Sequence, residues 1–100
     1  MKVIKFNTEN KTFMIPALDV AKHRANYYIC VVDKEVEGSH AWWEEVKTAM
    51  EDEYMLIDWL KNNTDMFEWE DRIMVIDNIS PKHVDLKWTD FEDFRVSEAI

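Results

Sequence analysis

From residue 40 to residue 63 the apolar positions recur at helical spacing, but their phase slips once, at Asp52. Over 40–50, Trp42, Trp43, Val46, Ala49 and Met50 fall on one side of a helical wheel, and Glu44, Glu45, Lys47, Thr48, Glu51 and Asp52 continue the other side. An unbroken helix, turning about 100° per residue, would carry Glu53 into the middle of that stripe and Trp59 among the carboxylates. The pattern therefore predicts two helices. Ser39 caps the first, and the second starts with Asp52 as cap and Glu53 as a first-turn acid favourable to the helix dipole. It buries Leu56, Ile57, Trp59 and Leu60 and stops at Asn62 and Asn63.

The flanking segments read differently. Residues 2–6 and 12–15 alternate, with Ile4 and Phe6 on one side of the first run and Phe13 and Ile15 together in the second. Asn7, Thr8, Glu9 and Asn10 between them are turn formers, which predicts a β-hairpin. After Pro16, Leu18, Ala21, Ala25, Tyr28, Ile29 and Val32 recur at helical spacing, predicting a helix over about 17–31. Glu35, Glu37, Ser39 and the only glycine, Gly38, end that pattern. Residues 72–76, apolar on both faces, suit an interior strand, and Val84, Leu86 and Trp88 alternate with Asp85 and Lys87 as a strand with one face in water. Asp77, Asn78, Ser80 and Pro81 form the link between them. Thr89 followed by Glu92 has the form of a capping box and predicts a short terminal helix burying Phe91 and Phe94.

The expected architecture is one α+β domain over residues 1–100, in the order ββααα(α)ββα. An antiparallel sheet of about four strands, as two hairpins, packs with three to four helices. The expected core comprises Ile4, Phe6, Phe13, Ile15, Leu18, Ala25, Trp43, Val46, Met50, Ile57, Leu60, Ile73, Val75 and Leu86.

Charge is distributed unevenly. Residues 33–71 hold thirteen carboxylates against three lysines, a balance of 3 − 13 = −10, while the whole chain carries −9. A one-sign field of this kind repels like surfaces and steers toward basic ones, and it opposes the phosphate-backbone binding that Lys and Arg provide. The expected partner is a basic protein surface and not nucleic acid. With thirteen aromatic residues in 100 and nearly half the chain hydrophobic, the composition is that of a folded domain despite its charge. The single Cys30 cannot form an internal disulfide and sits among Tyr28, Ile29, Val31 and Val32, as a small core hydrophobe does. MKVIKF lacks the apolar run of a signal peptide, and no segment has the length of a membrane span, so a reducing cytoplasmic setting without membrane association is expected.

No constellation carries catalytic chemistry. His23, His40 and His83 are scattered and lack ligand partners at metal-binding spacing. Asp65, Glu68, Glu70 and Asp71 are interrupted by Phe67 and Trp69 and do not form a calcium loop. Nothing marks a nucleophile, an oxyanion hole or a phosphate loop, so neither enzymatic activity, a metal nor a cofactor is expected. The remaining lead is the acid flank of the 40–50 helix. Glu44, Glu45, Glu51 and Asp52 would present carboxylates at steps of about 5 to 10 Å, a spacing that can imitate duplex phosphates, although such flanks commonly serve solubility alone. Trp42 and Trp43 are adjacent and cannot both face inward. Trp43 is assigned to the core and Trp42 to an interface, with a homodimer as a second expectation.

MKVIKF, Asp19, Ala21, Lys22, Arg24, Ala25, Tyr27 and Tyr28, then Asp58, Trp59, Asn62, Asn63, Trp69 and Asp71 together give a pattern covering about two thirds of the chain. In it the sequence resembles small acidic, uncharacterised proteins of marine bacteriophages, including cyanophages. The resemblance implies a phage product acting in the host cytoplasm, where proteins of this kind often antagonise host enzymes. It implies no site residues. An accessory or structural phage component working through homo-oligomer contacts is the alternative.

Overall fold

The computed structural model describes residues 1–7, 12–75 and 88–98. These residues form an α+β structure with a four-stranded antiparallel sheet and three α-helices. Strand β1 (Lys2–Asn7) pairs with β2 (Thr12–Pro16), placing Ile4 opposite Ile15 and Phe6 opposite Phe13. All four are buried, and the two Phe rings stack with centroids 5.9 Å apart, so the period-2 alternation and the cross-strand pairing specify the same register. Helix α1 (Ala17–Ala25) lies on β1 and β2. A seven-residue π-helical segment, Asn26–Val32, continues it without a break.

Helices α2 (His40–Met50) and α3 (Glu53–Asn63) have the bounds and caps that the phase slip predicts. Ser39 Oγ accepts from the Trp42 backbone N–H, and Asp52 Oδ1 accepts from that of Met55 at 3.1 Å, each satisfying a first-turn donor that the helix itself leaves open. At the other end of α2 the Lys2 ammonium donates to the Met50 carbonyl at 2.8 Å, a cation on a helix C-terminus.

The sheet's outer strands depart from expectation. Of the strand expected over 72–76, Ile76 lies outside the described residues; among those described, β3 is Met74–Val75, it pairs with β2 at one edge of the sheet, and Ile73 and Met74 are half-buried. The terminal helix is also absent. A 3₁₀ turn, Trp88–Asp90, leads into strand β4 (Glu92–Glu98), which pairs with the far side of β1. The strand order among the described residues is thus β3-β2-β1-β4. The physical reason lies in β1. It is buried at Val3, Ile4 and Phe6, so the backbone groups on its second edge need partners, and β4 supplies them. Phe94 and Val96 then alternate inward against exposed Arg95. An extra residue in β4 shifts the pairing between Lys5 and Asn7, and Asp93, at φ 56, takes the left-handed conformation that one class of such bulges uses. The expected strand residues 84–87, the expected link at 77–81, the turn residues 8–10, Leu86 and the side chain of Val75 lie outside the described residues.

The core is one contiguous cluster running from the sheet through all three helices to Trp88 and Phe91. Leu18 and Trp43, expected within it, are exposed, while Met50, Ile57 and Ile73 lie at its margin. In α1 the buried stripe is Ala17, Val20, Ala21 and Ala25, one position out of phase with Leu18. Small residues on this stripe let the helix axis approach the strands closely.

Candidate functional site

Asn26–Val32 contains three β-branched residues, Ile29, Val31 and Val32, which are poor α-helix formers. In an α-helix, Val32 would lie about two turns beyond Ala25 and share its buried face. The wider i→i+5 winding advances each residue by a smaller angle, and over seven residues that lag turns Val32 outward. Ile29 stays buried and Cys30 half-buried against the core, whereas Tyr27, Tyr28, Val31 and Val32 are all exposed, the valines at 56% and 53%. The expected helix over 17–31 is present as a rod, but its second half presents to solvent residues that helical periodicity assigns to the core.

The segment also ends in a widened form of a common helix cap. Asp33 N–H donates to Tyr28 O at 3.2 Å, Lys34 is left-handed at φ 60, and Glu35 N–H returns to Ile29 O at 2.8 Å. That last bond spans one residue more than its counterpart in the cap of an α-helix. Lys34 occupies a position that glycine or asparagine normally fills.

The two adjacent tryptophans of α2 have the reverse of their expected burial. Trp42 is 4% exposed and Trp43 is 50% exposed. Either can head a helical stripe through Val46, and the polar atom decides between them. The Trp42 indole N–H donates to Asn26 Oδ1 at 2.8 Å, at the junction where α1 becomes the π-helical segment. Three further indoles are anchored likewise: Trp59 donates to His23 Nδ1 at 2.9 Å, Trp69 to Thr64 Oγ1 and Trp88 to the Thr64 carbonyl, both at 2.8 Å. Among the described residues, Trp43 is the one tryptophan whose indole N–H has no acceptor. Its ring rests edge-on against Trp42, centroids 4.7 Å apart.

The carboxylates assigned to an acid row separate into two kinds. Glu45 is half-buried and paired with Arg24 Nη1, and the same guanidinium lies 4.8 Å from the centroid of the Tyr28 ring. Asp52 caps α3. Glu44 is exposed, its carboxylate 3.8 Å from His40 Nε2, and Glu51 is exposed at the end of α2, where a negative charge gains nothing from the helix dipole. Asp33, Glu35 and Glu37, on the loop leaving the π-helical segment, are all exposed.

His23 joins three elements. Because an indole N–H only donates, the Nδ1 that receives Trp59 carries no proton. The proton of the neutral ring then sits on Nε2, 3.2 Å from Glu68 Oε1 on the 3₁₀ turn Met66–Trp69. The ring lies against Trp69, and Tyr27 and Tyr28 pack on Trp59 from outside. With both nitrogens engaged by protein atoms, His23 braces the aromatic wall behind the exposed face.

Among the described residues no group of three or more His, Cys, Asp or Glu is placed to hold a metal, no helix is long and apolar enough to cross a membrane, and no buried side-chain nitrogen or oxygen lacks a partner. An open cleft of about 480 Å³ is lined by Asn7, Thr12, Asp93, Phe94 and Arg95. Its polar groups serve the β4 bulge: Arg95 donates to Asn7 Oδ1 and to the Asp93 carbonyl, and Asn7 donates to Asp93 Oδ2. No family model, no curated protein and no solved structure matches the chain.

Proposed function

We propose that the chain is a non-enzymatic acidic binding protein that occupies a basic surface of another protein. On its resemblance to the small acidic bacteriophage proteins, it is a phage product working in the host cytoplasm. The observation that carries the reading is Trp43, an indole half in solvent with no acceptor among the described residues, beside exposed Glu44 in a stretch, 33–45, whose charges sum to 1 − 5 = −4. Aromatic rings that are large, rigid and polar at one end supply much of the affinity of protein interfaces. Surrounding carboxylates steer the encounter and set the sign of the partner.

Two of the four carboxylates in the expected row already serve the fold, which leaves Glu44 and Glu51, about 10 Å apart along the helix axis. That is sparse for an imitation of duplex phosphates, and the reading favours a mixed apolar and acidic surface. Substitution is best confined to exposed carboxylates. Converting Asp33, Glu35, Glu37, Glu44 and Glu51 to their amides is expected to leave circular dichroism and melting unchanged and to abolish low-salt capture of basic proteins from a bacterial lysate. Raising the salt is expected to release the same proteins from the parent chain as the Debye length shortens. Capture that survives both changes overturns the proposal.

A further inference from the structure

We infer that the exposed face of the π-helical segment, Tyr27, Tyr28, Val31 and Val32, together with Trp43, is a docking surface for a cationic amphipathic segment of a partner protein. The inference rests on the acidic-binder reading and gives it a place and a chemistry.

The face is apolar: residues 25–32 carry no charge, and four of the largest among them are exposed. π-Helical winding is rare and recurs at functional sites, and here its effect is to turn Val32 from core to solvent. The left-handed Lys34 that closes the segment is a second unfavourable local feature at the same place. Trp43 packs on Trp42, whose indole is bonded to Asn26, the first residue of the segment, so one buried ring links the exposed indole to the segment.

Charge selects the occupant. Asp33, Glu35 and Glu37 come directly after the face in sequence and Glu44 comes directly after Trp43. A second copy of this chain, at −9, would set like charges against one another, and an anionic lipid surface would meet the same rim. The molecule also holds its own example of the recognition it would use. Arg24 lies over the Tyr28 ring while pairing with Glu45, so a guanidinium is held between an aromatic face and a carboxylate. A partner's Arg or Lys meeting Tyr27 or Trp43 with Asp33, Glu35 or Glu44 would repeat that arrangement, and its apolar side chains would cover Val31 and Val32.

The test uses the intact chain and two synthetic amphipathic helical peptides, one of Leu and Lys and one of Leu and Glu, titrated by tryptophan fluorescence. The Leu/Lys peptide is expected to bind and the Leu/Glu peptide not to. In the variant Val31→Ser/Val32→Ser/Trp43→Ala, all at exposed positions, Leu/Lys affinity is expected to fall about tenfold or more with the circular dichroism unchanged. Val31→Ser/Val32→Ser alone, which keeps all five indoles as reporters, is the second variant should the triple one fold poorly. Unchanged affinity in the patch variants, with loss in the amide variants of the rim, leaves the acidic-binder reading standing and overturns the docking surface. Unchanged affinity in both sets overturns both. Equal binding of the two peptides removes the cationic partner. A concentration-dependent dimer of the parent chain that the patch variant abolishes gives the surface to a second copy and likewise overturns the inference.

Discussion

The rod from Ala17 to Val32 is continuous in backbone and divided in purpose. Its α-helical half buries four residues no larger than valine against the sheet, and its π-helical half exposes two tyrosines and two valines. Apart from Ile29 and the half-buried Cys30, the apolar residues of the second half are turned outward, whereas the buried stripe of the first half is made of alanine and one valine. Small residues line the buried stripe of the first half, and where the winding changes Tyr27, Tyr28, Val31 and Val32 are outside while Ile29 stays inside. Hydrophobicity alone would place Val32 inward and Ala17 anywhere. The difference shows that in this chain the winding of the helix, more than the amount of apolar surface, decides which residues face the core.

Substitutions along the rod should reproduce that division. Ile29 is the large apolar anchor of the π-helical half, and Ile29→Ala is expected to cost about 2–4 kcal/mol in denaturant unfolding. A loss under about 1 kcal/mol would mean that the second half contributes little to the core. In the α-helical half the sensitive direction is enlargement: Ala21→Leu at a fully buried position is expected to cost about 1–3 kcal/mol by overpacking, and a neutral result would break the close-approach argument. At the junction, Asn26→Ala leaves the buried Trp42 indole N–H without its acceptor, for an expected cost of about 1–3 kcal/mol and a change in near-ultraviolet circular dichroism. Lys34→Gly relieves the left-handed backbone and is expected to raise stability by about 0.5–1 kcal/mol; a loss would show that the lysine side chain offsets its own strain. Smallest of all, Val31→Ser is expected to move stability by no more than about 0.5 kcal/mol, since the side chain already lies mostly in solvent.

Much of the middle of the fold is legible in residue order. The phase slip at Asp52, the Ser39 and Asp52 caps and the stop at Asn63 all depend on groups within one turn of each other, and the structure keeps them where the pattern puts them. Three other features escape residue order for a shared reason. The run from Thr89 to Glu92 has a helix-start pattern, yet it leads into a strand, because β1 lies some ninety residues away in sequence with an unpaired edge. The alternation of Phe94 and Val96 with Arg95 is the available signal. Trp42 and Trp43 are equivalent by periodicity, and the choice falls to Asn26, sixteen residues before Trp42. Sequence points to carboxylates on α2 as the candidate surface because acid is visible in composition, whereas the apolar component depends on a change of winding that periodicity does not register.

By itself the sequence determined the α+β class, the pairing of β1 with β2, the two capped helices and the concentration of acid in 33–71. Each comes from period, capping chemistry or charge carried by neighbouring residues. Tertiary structure alone decided the partner of β1's second edge, which tryptophan of the adjacent pair is buried, which carboxylates serve the fold, and that the end of the first helical rod turns two tyrosines and two valines to solvent. Those outcomes depend on hydrogen-bond acceptors and sheet edges supplied by distant parts of the chain. A buried donor or strand edge must be satisfied somewhere, and local sequence does not say where.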